Sequence, residues 1–262
     1  MAGVMALALL LGGCTGLGNP DQTKACRALA VQVPGITGVK EATFTDAVVS
    51  SLPLCSGVVA LDSALTTAQR GQVVGSVYDV VRNRGVKEVE FATSFPLGAS
   101  TFMVSSGFPT AVQATSILGI ADTTHATSAG IDWSLASGLV ASVHAPLTST
   151  TPAASLREGA ALLRLAPPTG LSAIDWYLND AQIVSPTIST DQAARFEAVA
   201  SWFDKTPAVA SYSYADESGA PAWALVTTSE VPDVVRGFAT VVGPSATVTA
   251  AVQGRSPYIT LP

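Results

Sequence analysis

The sequence predicts an α+β fold built from repeated β-β-α units. Three observations lead there. Strand-like apolar runs come in pairs, and each pair is followed by an amphipathic stretch that opens with a helix start signal. One tripeptide also recurs: Ile131-Asp132-Trp133 and Ile174-Asp175-Trp176 lie 43 residues apart. Strand–helix–strand segments joined by hairpins are the pattern of split βαβ, ferredoxin-like sandwiches, with helices on one face of mainly antiparallel sheets. Cutting the chain at its hairpins gives such segments at 57–94, 100–134, 139–177, 181–215 and 221–251. They group into two ferredoxin-like halves, 25–134 and 135–262, the second with an extra C-terminal unit.

The elements follow in order. Runs 39–45 and 57–62 read as strands. In 67–84, Val73, Val74, Val77, Val80 and Val81 keep a 3.6-residue period, and Gly85 stands where a C′ glycine ends a helix. Thr66 with Gln69 forms a capping-box pattern, as do Thr110 with Gln113 and Ser189 with Gln192. Strands 86–94 and 100–105 precede the helix 110–121. The two tripeptide strands are followed by Val-containing strands 139–145 and 181–188. The first of these leads into helix 152–165, opened by Thr151 as N-cap and Pro152 at N1. The second leads into helix 190–204, where Phe196, Val199 and Phe203 share a face. Strands 208–215 and 221–228, helix 231–242 and strands 245–251 and 257–261 complete the chain.

Composition bounds the function. The 262 residues carry 13 Lys+Arg against 19 Asp+Glu, a formal charge of −6, with 12% charged and 48% hydrophobic residues. That is a compact globule rather than a disordered chain. The acidic balance argues against a nucleic-acid partner, whose phosphates need a basic surface. Two histidines and no zinc-spaced cysteines argue against a metal site, and nothing suggests a cofactor. Nucleophile-elbow, P-loop, S-x-x-K and H-E-x-x-H patterns are missing.

The N-terminus carries an address. Val4 to Leu11 is an apolar run of eight, short for a membrane span but right for the core of a secretory signal. Leu11-Gly12-Gly13-Cys14 follows directly and resembles the lipobox of bacterial lipoproteins, although residues 1–13 have no Lys or Arg. The resemblance implies a signal peptide over 1–13, lipid on the Cys14 thiol and an extracytoplasmic protein held at the cell membrane. Residues 14–24, rich in Gly, Asn, Pro and Asp, then read as a lipidated tether. With Cys14 acylated, Cys26 and Cys55 remain as a pair in an oxidising compartment. A bridge between them would be worth roughly 3–4 kcal/mol in the chain-entropy treatment. Two buried free thiols are the alternative.

Within 33–90, Pro34-Gly35-Ile36-Thr37-Gly38-Val39, Gly57-Val58-Val59-Ala60-Leu61 and Gly85-Val86-Lys87-Glu88-Val89 resemble the small BON envelope domain. That resemblance implies binding near the envelope and no catalysis. Other features have ordinary structural readings. His125 and His144 fall in one expected hairpin as surface or half-buried strand residues, with a Ser/His/Asp site as the alternative. Asp132 and Asp175 are expected to be equivalent, with Trp133 and Trp176 in the core; paired exposed indoles would instead suit sugar stacking. Arg82, Arg84 and Lys87 cluster at a helix end, where cations complement the dipole. Tyr212, Tyr214 and Trp223 alternate as either a buried sheet face or an exposed aromatic strip. The sequence therefore points to a non-catalytic binding or assembly lipoprotein of the envelope, its partner an envelope glycan or another envelope protein. An envelope-polymer hydrolase and a purely structural partner are the alternatives.

Overall fold

The structure, a computed structural model, describes residues 20–49, 52–86, 91–134, 138–179, 192–217 and 220–262. Cys14 and the signal segment, Lys87, the strand expected over 181–188 and Ser189, the expected cap of helix 190–204, lie outside these residues. Across the described residues the protein is mixed α+β, with six α-helices and two mixed sheets. Helix α1 (Pro20–Gln32) leads into β1 (Val39–Val49), β2 (Leu52–Leu61), α2 (Thr67–Asn83), β3 (Phe91–Leu97) and β4 (Ser100–Val104). Next come α3 (Ala111–Thr123), β5 (Ser128–Ser134), β6 (Gly138–Pro146), α4 (Pro152–Leu163) and β7 (Ala173–Asn179). The remaining elements are α5 (Gln192–Phe203), β8 (Val209–Glu217), β9 (Ala220–Thr227), α6 (Pro232–Val242), β10 (Thr247–Val252) and β11 (Pro257–Leu261).

The helix starts obey the side-chain chemistry. Thr66 and Thr110 each accept from the N3 amide while Gln69 and Gln113 reach back to the cap amide, so both capping boxes are formed. Thr151 caps α4 ahead of Pro152. Gly85, with φ of +70°, stands just past the end of α2. Helix α1 begins at Pro20, inside the stretch read as tether. Proline at the first helical position and Asp21 beside it start a helix rather than a loop, and Cys26, Leu29 and Val33 then supply one buried face.

The seven strands of the larger sheet lie in chain order, β1 to β7. Hairpin partners are antiparallel: β1/β2, β3/β4 and β5/β6. The helical crossovers join direct neighbours in parallel: β2/β3, β4/β5 and β6/β7. This corrects the expected topology. A split βαβ unit leaves room for a strand between the two it connects and gives an antiparallel sheet. Here no strand is inserted, and parallel and antiparallel pairs alternate. Residue spacing is the same for both arrangements, because the crossover helix has the same length in each. The boundary expected at 134/135 falls inside the β5/β6 hairpin of this one sheet. The smaller sheet, β11-β10-β9-β8, alternates in the same way.

All the helices of the larger sheet cover one face. Phe91, Phe95, Phe102, Val104, Ile131, Val143 and Trp176 point to that face and are buried. Helices α2 and α3 pack antiparallel on it: Gly71 meets Thr115, and Gly75 meets Ala111. A Cβ at Gly75 would lie 2.7 Å from the Cβ of Ala111, so the close approach needs glycine. The strands joined by α2 run opposite to those joined by α3, yet both helices lie on one face and the sheet advances in one direction. The two crossovers must therefore have opposite hands, although parallel crossovers are almost always right-handed. The tight small-residue contact between α2 and α3 accompanies this exception.

Candidate functional site

With helices on one face, no described helix covers the opposite face of the larger sheet. The period of two decides what it carries. One lateral row of cross-strand neighbours reads Thr43, Val58, Ser94, Met103, Gly130, Ser142 and Asp175. A second reads Pro96, Thr101, Ser128, His144 and Tyr177. Hydroxyls dominate, and Val58 and Met103 are large apolar residues left 50% and 48% exposed.

A depression of about 230 Å³ is walled by Met103, Asp132, His144, Asp175 and Tyr177 with Ser128 and Ser142 between them. Gly130 sits between Met103 and Ser142 in the lateral row. A Cβ there would come within 2.4 Å of the Met103 carbonyl oxygen. The His144 and Tyr177 rings stack at 4.1 Å between centroids and 3° between planes, forming one wall. The Ser106 hydroxyl donates to Asp132 Oδ1 at 2.5 Å. A broader, more apolar depression of about 480 Å³, over Thr43, Ser56, Val58 and Ala92, adjoins it through Met103 and Ser105. Among the described residues no Lys or Arg lines either depression.

The electrostatics are those of an acidic, half-dry surface. Burial, and secondarily the Asp132 charge, raise the Asp175 carboxyl above the usual carboxylate range. Burial lowers the His144 imidazole, favouring its neutral form. Because the folded state raises Asp175, its contribution to stability is full below the unfolded pKa and is lost as pH rises through the folded one. Asp175→Asn is therefore expected to raise the urea midpoint at pH 7, with the gain shrinking as pH falls through the raised folded pKa and gone below the unfolded value of about 4. A variant less stable than wild type at pH 7 contradicts this account.

The other sequence candidates have structural roles. Asp132 and Asp175 share the open face, as the alternation required. Ile131 and Ile174 both pair with Ala141, one from each side of β6, but β5 and β7 run in opposite directions. The two tripeptides therefore match in face and not in direction. Trp176 is fully buried; the side chain of Trp133 lies outside the described residues. His125 is in the turn after α3 at a φ of +51°, exposed and in a separate hollow with Leu97 and Asp122 rather than in the His144 depression. Thr148 and Ser149, candidate hydroxyls near His144 in sequence, instead donate from side chains and amides to Glu158. Burial alone would raise the Glu158 carboxyl, but these hydrogen bonds outweigh it and lower it. Arg82 pairs with Asp79 at 2.6 Å and lies over Phe108, and Arg84 donates to Gln32.

Tyr212, Tyr214 and Trp223 are buried and face α5 and α6. Phe196 meets Tyr214 edge-on at 5.2 Å, and Trp223 packs on Phe238 at 5.5 Å. They form the core of the smaller sheet and not an exposed strip. Cys26 of α1 and Cys55 of β2 are bonded, with Cα atoms 5.7 Å apart. Tyr177, Gly130, Ser128 and Ser142 were not singled out in the sequence. Tyr177 was within reach, since it stands two residues from Asp175 on a strand.

Among the described residues no group of three or more His, Cys, Asp and Glu is placed to hold a metal ion. No helix among them is long and apolar enough to cross a membrane. No known family, curated protein or solved structure matches the chain.

Proposed function

We propose that this chain is an extracytoplasmic lipoprotein, held at the membrane by lipid on Cys14, whose uncovered sheet face binds an envelope glycan without catalysis. The observation that carries the binding reading is the one-sided helix layer, which leaves a wide hydroxyl-bearing face with a depression at its centre. Ser128, Ser142, Asp132, Asp175, His144 and Tyr177 offer donors and acceptors of the kind that exchange hydrogen bonds with sugar hydroxyls. Two carboxylates on this face, Asp132 and Asp175, disfavour phosphate-rich polymers. The anchoring reading rests on the lipobox after the apolar run Val4–Leu11.

Two measurements test the two parts separately. Cells making wild type or Cys14→Ser are labelled with a fatty-acid probe and fractionated. Label and membrane partition should both be lost in the variant; equal behaviour overturns the anchoring. For binding, amide chemical shifts are followed while neutral glycan oligomers are added. Shifts should gather on Gly130–Asp132, Ser142–His144 and Asp175–Tyr177, and weaken at least tenfold in Asp175→Ala/Tyr177→Ala. Shifts elsewhere, or none with any soluble envelope glycan, overturn it.

One observation favours a second reading. Ser128 and His144 are direct cross-strand partners on this face, which is the neighbourhood a hydrolase would need. Neither ring nitrogen of His144 has a side-chain partner among the described residues, and the ring stacks on Tyr177. Covalent labelling of Ser128 by a fluorophosphonate would replace the binding reading with the hydrolase.

A further inference from the structure

We infer that the Cys26–Cys55 bridge is a mechanical staple that passes tension from the membrane tether into the interior of the sheet. The inference rests on the reading of Cys14 as the anchor.

The tether enters the described structure at Pro20, so any pull on the anchor reaches α1 first. Beyond the bridge, α1 is held by few side chains. Leu29 and Val33 are buried, Thr23 donates to Asp46 at 2.8 Å, and Arg84 donates to Gln32 at 2.8 Å. The next element, β1, is the edge strand of the seven-stranded sheet and is hydrogen-bonded to β2 alone. An edge strand pulled from one end detaches pair by pair, so no step needs the whole ladder to break at once. Without a staple, α1 and β1 would peel first.

The bridge changes that path. Cys55 lies in β2, with Asp46 of β1 opposite it on one side and Phe91 of β3 on the other. Tension arriving at Cys26 crosses directly to a strand hydrogen-bonded on both sides. Residues 27–54, which include all of β1, are bypassed. Cys26 and Cys55 are 2% and 0% exposed, so the staple is shielded from soluble reductant.

The test is single-molecule pulling on the full chain carrying Cys14→Ser, with handles at both termini; no lipid is involved, so its failure says nothing about anchoring. In the Cys26→Ala/Cys55→Ala chain an early low-force step of roughly 100 Å should precede the main rupture, from about 29 residues at 3.3–3.6 Å each. With the bridge intact, only the residues before Cys26 can peel, roughly 20 Å. Should the double variant fail to fold, the wild-type bridge is reduced with a phosphine while the chain is held unfolded in the trap, and the chain is refolded before the second pull. An unbridged chain that shows no early step, or that releases these residues at the same force as the rest, overturns the proposal. A bridged chain with the full early step overturns it as well.

Discussion

Trp176→Ala is expected to cost about 3–5 kcal/mol, a large part of the stability of an ordinary domain. Trp176 is fully buried on the helix-covered face of β7, directly across from Val143. Truncation removes a large apolar contact and leaves a cavity that neighbours on a hydrogen-bonded strand are poorly able to fill. The indole N–H is buried with no hydrogen-bond partner among the described residues. Trp176→Phe removes that unsatisfied donor along with part of the ring, and should therefore cost much less than alanine does. Urea unfolding measures both, provided the slope m is unchanged. If Trp176→Ala shifts the midpoint little and instead weakens glycan binding, Trp176 belongs to a binding surface. The observed burial says otherwise, and it removes this residue from any sugar-stacking platform.

Much of this architecture was legible because local signals agreed with the final packing. Capping boxes at Thr66 and Thr110 locate α2 and α3 within a residue or two. The Ile-Asp-Trp alternation placed both carboxylates on one face and Trp176 on the other. The crossovers were not legible. A helix that returns the chain to an adjacent parallel strand has the same length and pattern as one that skips a strand. What selects between them is long-range: Gly71 and Gly75 admit α3 close beside α2, a contact no local pattern announces. Helix α1 was hidden for a different reason. Asn19-Pro20-Asp21 reads as a loop in isolation, and its helical face becomes sensible only once Cys26, Leu29 and Val33 meet the sheet.

The site was half legible. Asp132, Asp175 and His144 were visible as residue types with chemistry, but nothing in one dimension brings β4 through β7 side by side. Tyr177 enters the depression through its cross-strand neighbour His144, and Met103 and Ser142 meet there from either side of Gly130. Burial and the Asp132 charge both oppose ionisation of Asp175, so holding its carboxylate on this face costs the fold stability.

Loss of the disulfide should have an effect of similar size to loss of Trp176, by another route. The bridge between Cys26 and Cys55 spans a sequence separation of 29. In the chain-entropy treatment a closed loop of that size stabilises by about 3.6 kcal/mol, and removing bridges from small exported domains costs about 2–5 kcal/mol. The local contacts make the upper part of that range reasonable here. Both sulfurs are buried, so Cys26→Ala/Cys55→Ala also leaves unfilled volume between α1 and β2. The damage should be uneven. Helix α1 and edge strand β1 lose their covalent tie, while β3–β6 keep both strand neighbours and β7 keeps β6. Hydrogen exchange can read this directly. In the variant, amides of residues 26–49 should lose protection by several orders of magnitude before those of 101–104 and 140–145 change. Uniform loss of protection across all strands would mean the larger sheet unfolds as one unit, and that the bridge stabilises it globally rather than fastening one edge.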